Sequence, residues 1–204
     1  MDERPHEWEI ELLQVVGQLR DLGYDVASLA ELQKSGIKYK NAVPMLADWL
    51  ETTSTVRAKE QIALALSFPW AKPEATAPLF RQFAHLPVEI DATGLGIRWR
   101  IGDAIYCVDD RAAAPEMIEL ALNPKFGRAR EMIVLELGRV KTPEAIEALI
   151  TLLDDPDVDG HAVKALSSRG VTAPPQVFQE KLSDRRAWVR AAARRAIDRS
   201  QGAG

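Results

Sequence analysis

Cysteine and histidine are scarce in this chain, whose 204 residues include one cysteine and three histidines. Because a disulfide needs two cysteines, neither a disulfide framework nor a cysteine-based metal site can form within one chain. Cys107 lies in an apolar run, residues 105–108, so we interpret it as a small buried hydrophobe rather than a nucleophile. The histidines are far apart in the sequence and show no metal-ligand spacing. We therefore expect no metal ion and no other cofactor.

Long apolar runs are also missing. No stretch approaches the uninterrupted apolar length that a membrane-spanning helix needs, and residues 1–5 lack the basic and apolar segments of a secretory leader. Together with the single cysteine, these absences predict a protein of the reducing cytoplasm that has no membrane partner. A phosphate-binding loop is not recognisable either, so few enzyme classes remain open.

The composition is that of a globular protein, with 47% hydrophobic and 27% charged residues. A chain of this length fits one sizeable domain. Its formal charge of −4 argues against a protein whose whole surface follows a phosphate backbone. Any anion-binding surface must therefore be local.

A repeat runs through the chain. Gly127, Val158 and Val189 are each followed by apolar residues seven and eight positions later, and the same pattern recurs from Val56 and Ile97. Offsets of zero, seven and eight lie on one stripe of an α-helix. Ahead of each such helix lies another apolar stretch that begins near a proline, as a first helical turn tolerates. The pattern predicts five helix pairs, with Thr142 as the clearest N-cap.

Residues 142–158, with Ala162, Ala165 and Leu166 after them, and residues 188–193 resemble bacterial HEAT repeats. The resemblance is clear over residues 111–199 and looser over 41–110. It implies an all-α fold: a right-handed α-α superhelix, or α-solenoid, of about five HEAT-like helix pairs whose second helices line the concave side. It also implies binding or scaffolding more often than catalysis.

The predicted domain organisation follows from this repeat. We expect a helical cap at residues 1–40, with helices over 8–22 and 26–33, and one continuous repeat domain at 41–199. Residues 200–204 are expected to form a disordered tail. The segment 87–96 carries extra residues and two glycines, which predicts an irregular loop before Ile97.

Equivalent positions of a solenoid form columns across its surface. One position after each reference residue, the sequence has Arg57, Arg98, Arg128, Asp159 and Arg190; three positions after it, the sequence has Lys59, Arg100, Arg130, His161 and Ala192. Two interpretations stay open. The first column is typical of ion-pair ladders that stabilise the stack, and the second is either a solvated face or a groove for a carboxylate-rich or phosphate-bearing partner.

Trp99 stands out, because the equivalent positions hold small residues: Ala58, Ala129, Gly160 and Ala191. It is either a packing residue or an interface anchor, since large aromatics beside arginine are typical of binding hot spots. We interpret the other four tryptophans, including Trp188, as packing residues.

One arrangement suggests catalysis. Trp99 and Asp103 are four residues apart and so share a helix face, which is similar to the arrangement in HEAT-like alkylpurine DNA glycosylases. That resemblance implies an aromatic residue and an aspartate beside a damaged nucleotide. The acidity of the chain opposes this alternative, because DNA binding requires several phosphates to be neutralised. We interpret the acidic segment 154–159 as a turn between repeats rather than a calcium site.

The sequence thus predicts a non-enzymatic adaptor, scaffold or inhibitor that holds an acidic or carboxylate-rich segment of a protein partner in its concave groove. Nucleic acid is a less favoured partner. Oppositely charged chain ends are compatible with a monomer or a weak homo-oligomer. The candidate binding residues are Arg57, Lys59, Arg98, Trp99, Arg100, Asp103, Arg128, Arg130, His161 and Arg190.

Overall fold

The computed structural model describes residues 5–87, 90, 95–168 and 173–201, and among these residues every regular element is an α-helix or a short 3₁₀ helix. The predicted all-α fold is confirmed. The chain divides into two compact units, Met1–Asp110 and Arg111–Gly204. Most of the irregular loop predicted at 87–96 lies outside the described residues.

The first unit opens with the two helices expected near the N-terminus. Helix α1 spans Glu7–Asp21, where the side chain of Glu9 accepts a hydrogen bond from the backbone amide of His6 at 2.8 Å. Helix α2 spans Leu29–Lys34 and is capped by Ser28, whose hydroxyl accepts a hydrogen bond from the amide of Glu31. Both helices pack against the fourth helix of the unit.

Two helix pairs complete this unit. Helices α3 (Val43–Thr52) and α4 (Val56–Leu66) form the first pair, and α5 (Thr76–His85) and α6 (Ile97–Val108) form the second. The first helices α3 and α5 pack against each other, as do the second helices α4 and α6. Their buried faces hold aliphatic and aromatic residues such as Leu46, Ile62, Phe83 and Ile101. This stacking of like helices is the arrangement that the repeat predicts.

The second unit repeats the scheme. Helix α7 (Ala114–Leu122) is followed by α8 (Glu131–Leu137), and α9 (Pro143–Thr151) by α10 (Asp159–Leu166). Helix α11 (Ala187–Gln201) packs on α10, which packs on α8. Thr142 caps α9 as predicted, because its hydroxyl accepts a hydrogen bond from the amide of Ala145 at 3.3 Å.

Three local features differ from the predicted register. Gly127 has φ +49°, which ends the helical geometry there, so α8 begins at Glu131 rather than at Gly127. Two 3₁₀ helices, Pro175–Phe178 and Glu180–Ser183, replace the expected α-helix before α11. Pro174 precedes another proline and is extended, as the steric clash with that ring requires. Helix α11 includes residues 200 and 201 of the predicted tail; residues 202–204 lie outside the described part of the chain.

The handedness of the superhelix, the count of five pairs and the single continuous repeat domain stay predictions.

Candidate partner-binding surfaces

Two of the predicted binding residues in the first unit are buried. Lys59 donates hydrogen bonds from Nζ to the backbone oxygen of Leu50 at 2.5 Å and to the side-chain oxygen of Gln82 at 2.9 Å. Arg98 donates to the backbone oxygen of Phe83 at 2.9 Å and to that of Leu86. Burial lowers the pKa of Lys59, although nearby carboxylates oppose the shift. Both cations thus contact the C-terminal end of the preceding helix.

Arg130 is the corresponding buried cation of the second unit, with a side chain that is 0% exposed. Its guanidinium donates to the backbone oxygens of Ala121 at 3.0 Å and Gly127 at 2.8 Å. It also forms ion pairs with Asp155 at 2.8 Å and Asp157 at 3.8 Å. The acidic turn between repeats therefore supplies counter-ions to a buried arginine.

These three cations bind the end of a helix, which is a different structural role from the ion-pair ladder that the sequence analysis considered for the first column. The last carbonyl groups of an α-helix lack intrahelical partners, and a cation at that end satisfies them and complements the helix dipole. Lys59 and Arg130 each lie nine residues after the carbonyl that they bind, Leu50 and Ala121. That shared spacing is the sequence signal that could have found them. Because their side chains are inside the protein, we leave Lys59, Arg98 and Arg130 out of the candidate surface.

Asp159 and Arg190, two further column residues, are held in structural contacts. Asp159 is buried and accepts hydrogen bonds from Lys181 at 3.0 Å and Arg186 at 2.8 Å. Burial raises the pKa of Asp159, but these two cations outweigh it and the net shift is downward. Arg190 donates to the backbone oxygens of Asp184 and Arg185 at 2.7 and 3.0 Å.

The residues of the suggested catalytic arrangement all lie on α6 and are partly exposed. Asp103 forms an ion pair with Arg100 at 3.6 Å, and the Arg100 guanidinium lies 5.7 Å from the Trp99 ring centroid. In the same unit, the exposed Arg57 lies over the ring of Trp8 at 4.1 Å. The structure therefore leaves Arg57, Trp99, Arg100 and Asp103 at least partly open to solvent.

In the second unit, two of the predicted residues, Arg128 and His161, both lie near Glu131. With Glu131, Lys164 and Trp188 they form a set that we call the Trp188 surface. Arg128 is exposed and pairs with Glu131 at 2.8 Å. His161 Nε2 lies 4.0 Å from the other oxygen of Glu131, and its ring centroid lies 5.3 Å from that of Trp188. Lys164 is exposed one turn further along α10.

The surroundings of His161 lower the pKa of its imidazole. Burial is the largest cause that lowers the pKa of its imidazole below the ordinary value of 6.5. The neighbouring cations Lys164, Arg128 and Arg186 lower it further, whereas the carboxylate of Glu131 opposes the shift. The exposed charges of this surface at neutral pH are therefore those of Arg128 and Lys164, with Glu131 mostly buried beneath them.

Trp188, which we interpreted as a packing residue, is 42% exposed. One edge of its ring lies against Gly160, where a Cβ atom would come within 2.6 Å of Trp188 Cη2. The guanidinium of Arg186 lies 5.7 Å from the ring centroid. The glycine at position 160 thus makes room for a tryptophan from the next repeat, and part of that tryptophan is open to solvent.

Within the described residues there is no group of three or more histidine, cysteine, aspartate or glutamate residues arranged to hold a metal ion. Cys107 is half-buried. Of the helices that the structure describes, none combines the length and the apolar character needed to cross a membrane.

The sequence comparisons agree with the stacked helix pairs. A family model described as HEAT repeats matches residues 97–198, which is half of the chain and runs from the start of α6 into α11. No curated protein shows significant similarity to this chain. The matched segment includes the five residues of the Trp188 surface and the buried Arg98 and Arg130. By its repeat pattern, its fold and this match, the chain belongs to the HEAT-repeat family.

Proposed function

We propose that this protein is an adaptor or scaffold that binds a carboxylate-rich segment of a partner protein on the Trp188 surface. HEAT repeats generally mediate protein–protein interactions and are typically non-enzymatic scaffolds. The observation that carries the proposal is an exposed tryptophan, Trp188, whose ring centroid lies 5.3 Å from that of His161, on a surface with two exposed cations, Arg128 and Lys164. Tryptophan and arginine are the residue types that most often dominate binding energy at interfaces.

The charge distribution supports an acidic partner. The unit Arg111–Gly204 contains 15 lysine and arginine residues against 13 aspartate and glutamate residues, a formal charge of +2. The unit Met1–Asp110 contains 11 against 17, a formal charge of −6. Complementary potentials steer association and exclude unsuitable partners. A segment with several carboxylates and an apolar residue for Trp188 would complement the second unit best.

Four further predicted residues, Arg57, Trp99, Arg100 and Asp103, stay proposals for secondary contacts. Their unit is strongly acidic, which opposes the binding of a phosphate backbone, and Asp103 has a cationic partner in Arg100. We therefore do not propose DNA glycosylase activity. A cytoplasmic location and an inhibitor-like role stay predictions from the sequence.

The test is a comparison of partner retention by charge-matched variants. Arg128→Glu/Lys164→Glu changes two exposed cations of the Trp188 surface, and Lys34→Glu/Lys38→Glu makes the same charge change on exposed lysines of the first unit. Each immobilised full chain is incubated with cell extract, and retained proteins are identified by mass spectrometry. We expect specific partners on the wild-type chain and on the Lys34/Lys38 variant, but not on the Arg128/Lys164 variant. Retention of every specific partner by the Arg128/Lys164 variant would show that this surface is not the binding site.

A further inference from the structure

Helix α1 carries an apolar stripe on its solvent face. Ile10 is 45% exposed and Leu13 is 64% exposed. One helical turn further lies Gly17, around which a Cβ atom would meet no atom within 4 Å. Residues spaced by three and seven positions lie on one helix face. The stripe is therefore a face on which another helix can approach α1 closely.

An apolar groove with a volume of about 360 Å³ opens beside this stripe. Its walls come from α1 and from the segment leading into α2, and its apolar lining includes Trp8, Leu12, Leu13, Val16, Ala27 and Leu29. Leu13 belongs to both the stripe and the groove. Exposed apolar patches with a polar rim mark interaction sites on soluble proteins. The stripe and the groove together form one continuous surface, which we call the α1–α2 groove.

The charges around the α1–α2 groove are mainly negative. Glu9 lines it, and Glu7 and Glu31 are exposed on the same two helices. The carboxylates of Glu9 and Glu31 accept backbone hydrogen bonds, at 2.8 and 2.7 Å. Three exposed cations also lie on the elements of this unit near the groove: Arg57 lies over the Trp8 ring, and Arg20 and Lys34 are in the last turns of α1 and α2. With a formal charge of −6 on the whole unit, a basic partner is favoured.

We propose that the α1–α2 groove binds an amphipathic helix of a partner protein, with aliphatic anchors on one face and lysine or arginine on the other. An amphipathic helix in a groove is recognised through its own apolar anchors, spaced by three or four residues, and Ile10, Leu13 and Gly17 form the face of α1 against which such a helix would pack. The anchors enter the apolar groove, and the basic residues that flank them meet Glu7, Glu9 and Glu31. This surface lies in the first unit and is independent of the Trp188 surface in the second.

Fluorescence anisotropy with the full chain tests the proposal. The probe is a short labelled peptide of leucine and lysine at helical spacing, and its matched control has glutamate in place of lysine. We expect the leucine–lysine peptide to bind at least about tenfold more tightly than the control peptide. Leu13→Asp should weaken its binding at least about tenfold, because it places a charge in the apolar face. Gly17→Gln should also weaken the binding of this peptide, because the glutamine side chain would keep the bound helix away from α1.

Leu122→Asp is the matched control variant, because Leu122 is also an exposed leucine, at 40%, but lies in the second unit. It should leave binding of the leucine–lysine peptide unchanged. Equal binding of the two peptides, or equal effects of Leu13→Asp and Leu122→Asp, would overturn the proposal. Sedimentation of the wild type tests whether a second copy of this chain occupies the groove instead. Self-association that Leu13→Asp abolishes would assign the groove to that second copy and overturn the proposal.

Discussion

Individual residues determine which of the predicted cations are available to a partner. The sequence columns put Arg128 and His161 in different groups, although both side chains lie near Glu131 in the structure. They put His161 in the same group as Arg130, which is fully buried. Column analysis assigns a residue to a position in the repeat, but whether its side chain reaches back to the preceding helix depends on packing. Lys59 and Arg98, two more of the candidate binding residues, are buried for the same physical reason.

Arg130→Met tests the structural role of the buried arginine. The substitution leaves the backbone oxygens of Ala121 and Gly127 and the carboxylate of Asp155 without this partner. We expect a loss of about 3–5 kcal/mol in the free energy of unfolding, as for a broken buried ion pair. Urea unfolding followed by circular dichroism measures it. Arg81→Met is the control, because Arg81 forms an exposed pair with Glu51 at 2.6 Å and should cost at most about 1 kcal/mol.

His161 gives the stability of the protein a defined pH dependence. Its folded-state pKa is lowered, so the unfolded chain binds the proton more readily and acidification below about 6.5 favours unfolding. The groups that face the imidazole are Glu131, Arg128, Lys164 and Arg186. We expect the wild type to lose stability between about pH 7.5 and 5.5, by at most about 1.4 kcal/mol per pH unit, and His161→Gln to lose less.

Thermal unfolding at the two pH values measures this difference. The other histidines are present in both proteins, and the pKa of Asp184, about 2, places its titration well below this range. An identical pH dependence of the wild type and His161→Gln would contradict the assignment.

At the scale of helices, periodicity predicted most of the fold. The apolar repeat located the second helices α4, α6, α10 and α11, and the prolines located the starts of α3, α7 and α9. Periodicity did not predict the helix bounds correctly where backbone geometry determines them. Gly127 adopts a positive φ that only local packing selects, and the segment 173–183 has too little helical pattern after its two prolines to form a full α-helix.

Close approach of two helices is the basis of a second stability prediction. Gly138, at the end of α8, lies so near α10 that an added Cβ would come within 2.8 Å of Ala165 Cα. Because the obstacle is backbone, we expect Gly138→Ala to destabilise the protein by about 1–3 kcal/mol. Gly17→Ala in α1 meets open space and should stabilise it by about 0.5–1 kcal/mol through helix propensity. Chemical denaturation of both variants measures whether the free energy of unfolding changes in opposite directions. A stabilising Gly138→Ala would refute the close packing of Gly138 on α10.

At the scale of the whole molecule, the two units differ in charge, with −6 on the first and +2 on the second. The sequence alone predicted opposite charges at the chain ends, but it did not predict the apolar groove, because the exposure of Leu13 depends on how α1 packs on α4. One surface for a basic helix and another for an acidic segment would allow the chain to join two unlike partners.

Measuring two variants against two peptides tests whether the α1–α2 groove and the Trp188 surface bind independently. Leu13→Asp should leave the affinity for a labelled glutamate-rich peptide unchanged within about twofold, and Arg128→Glu/Lys164→Glu should do the same for the leucine–lysine peptide. Anisotropy titrations of both variants with both peptides give the four affinities. If either variant weakens the binding of both peptides, the two surfaces are not separate sites.

The contact between Gly160 and Trp188 has a further consequence for recognition. An indole that rests on a neighbouring helix has few rotamers left to lose when a partner covers it, so little conformational entropy opposes binding there. A larger residue at position 160 would displace the ring and release those rotamers without removing any atom that a partner touches. A substitution at position 160 would thus change the affinity of the Trp188 surface for the proposed partner without changing a residue that contacts it.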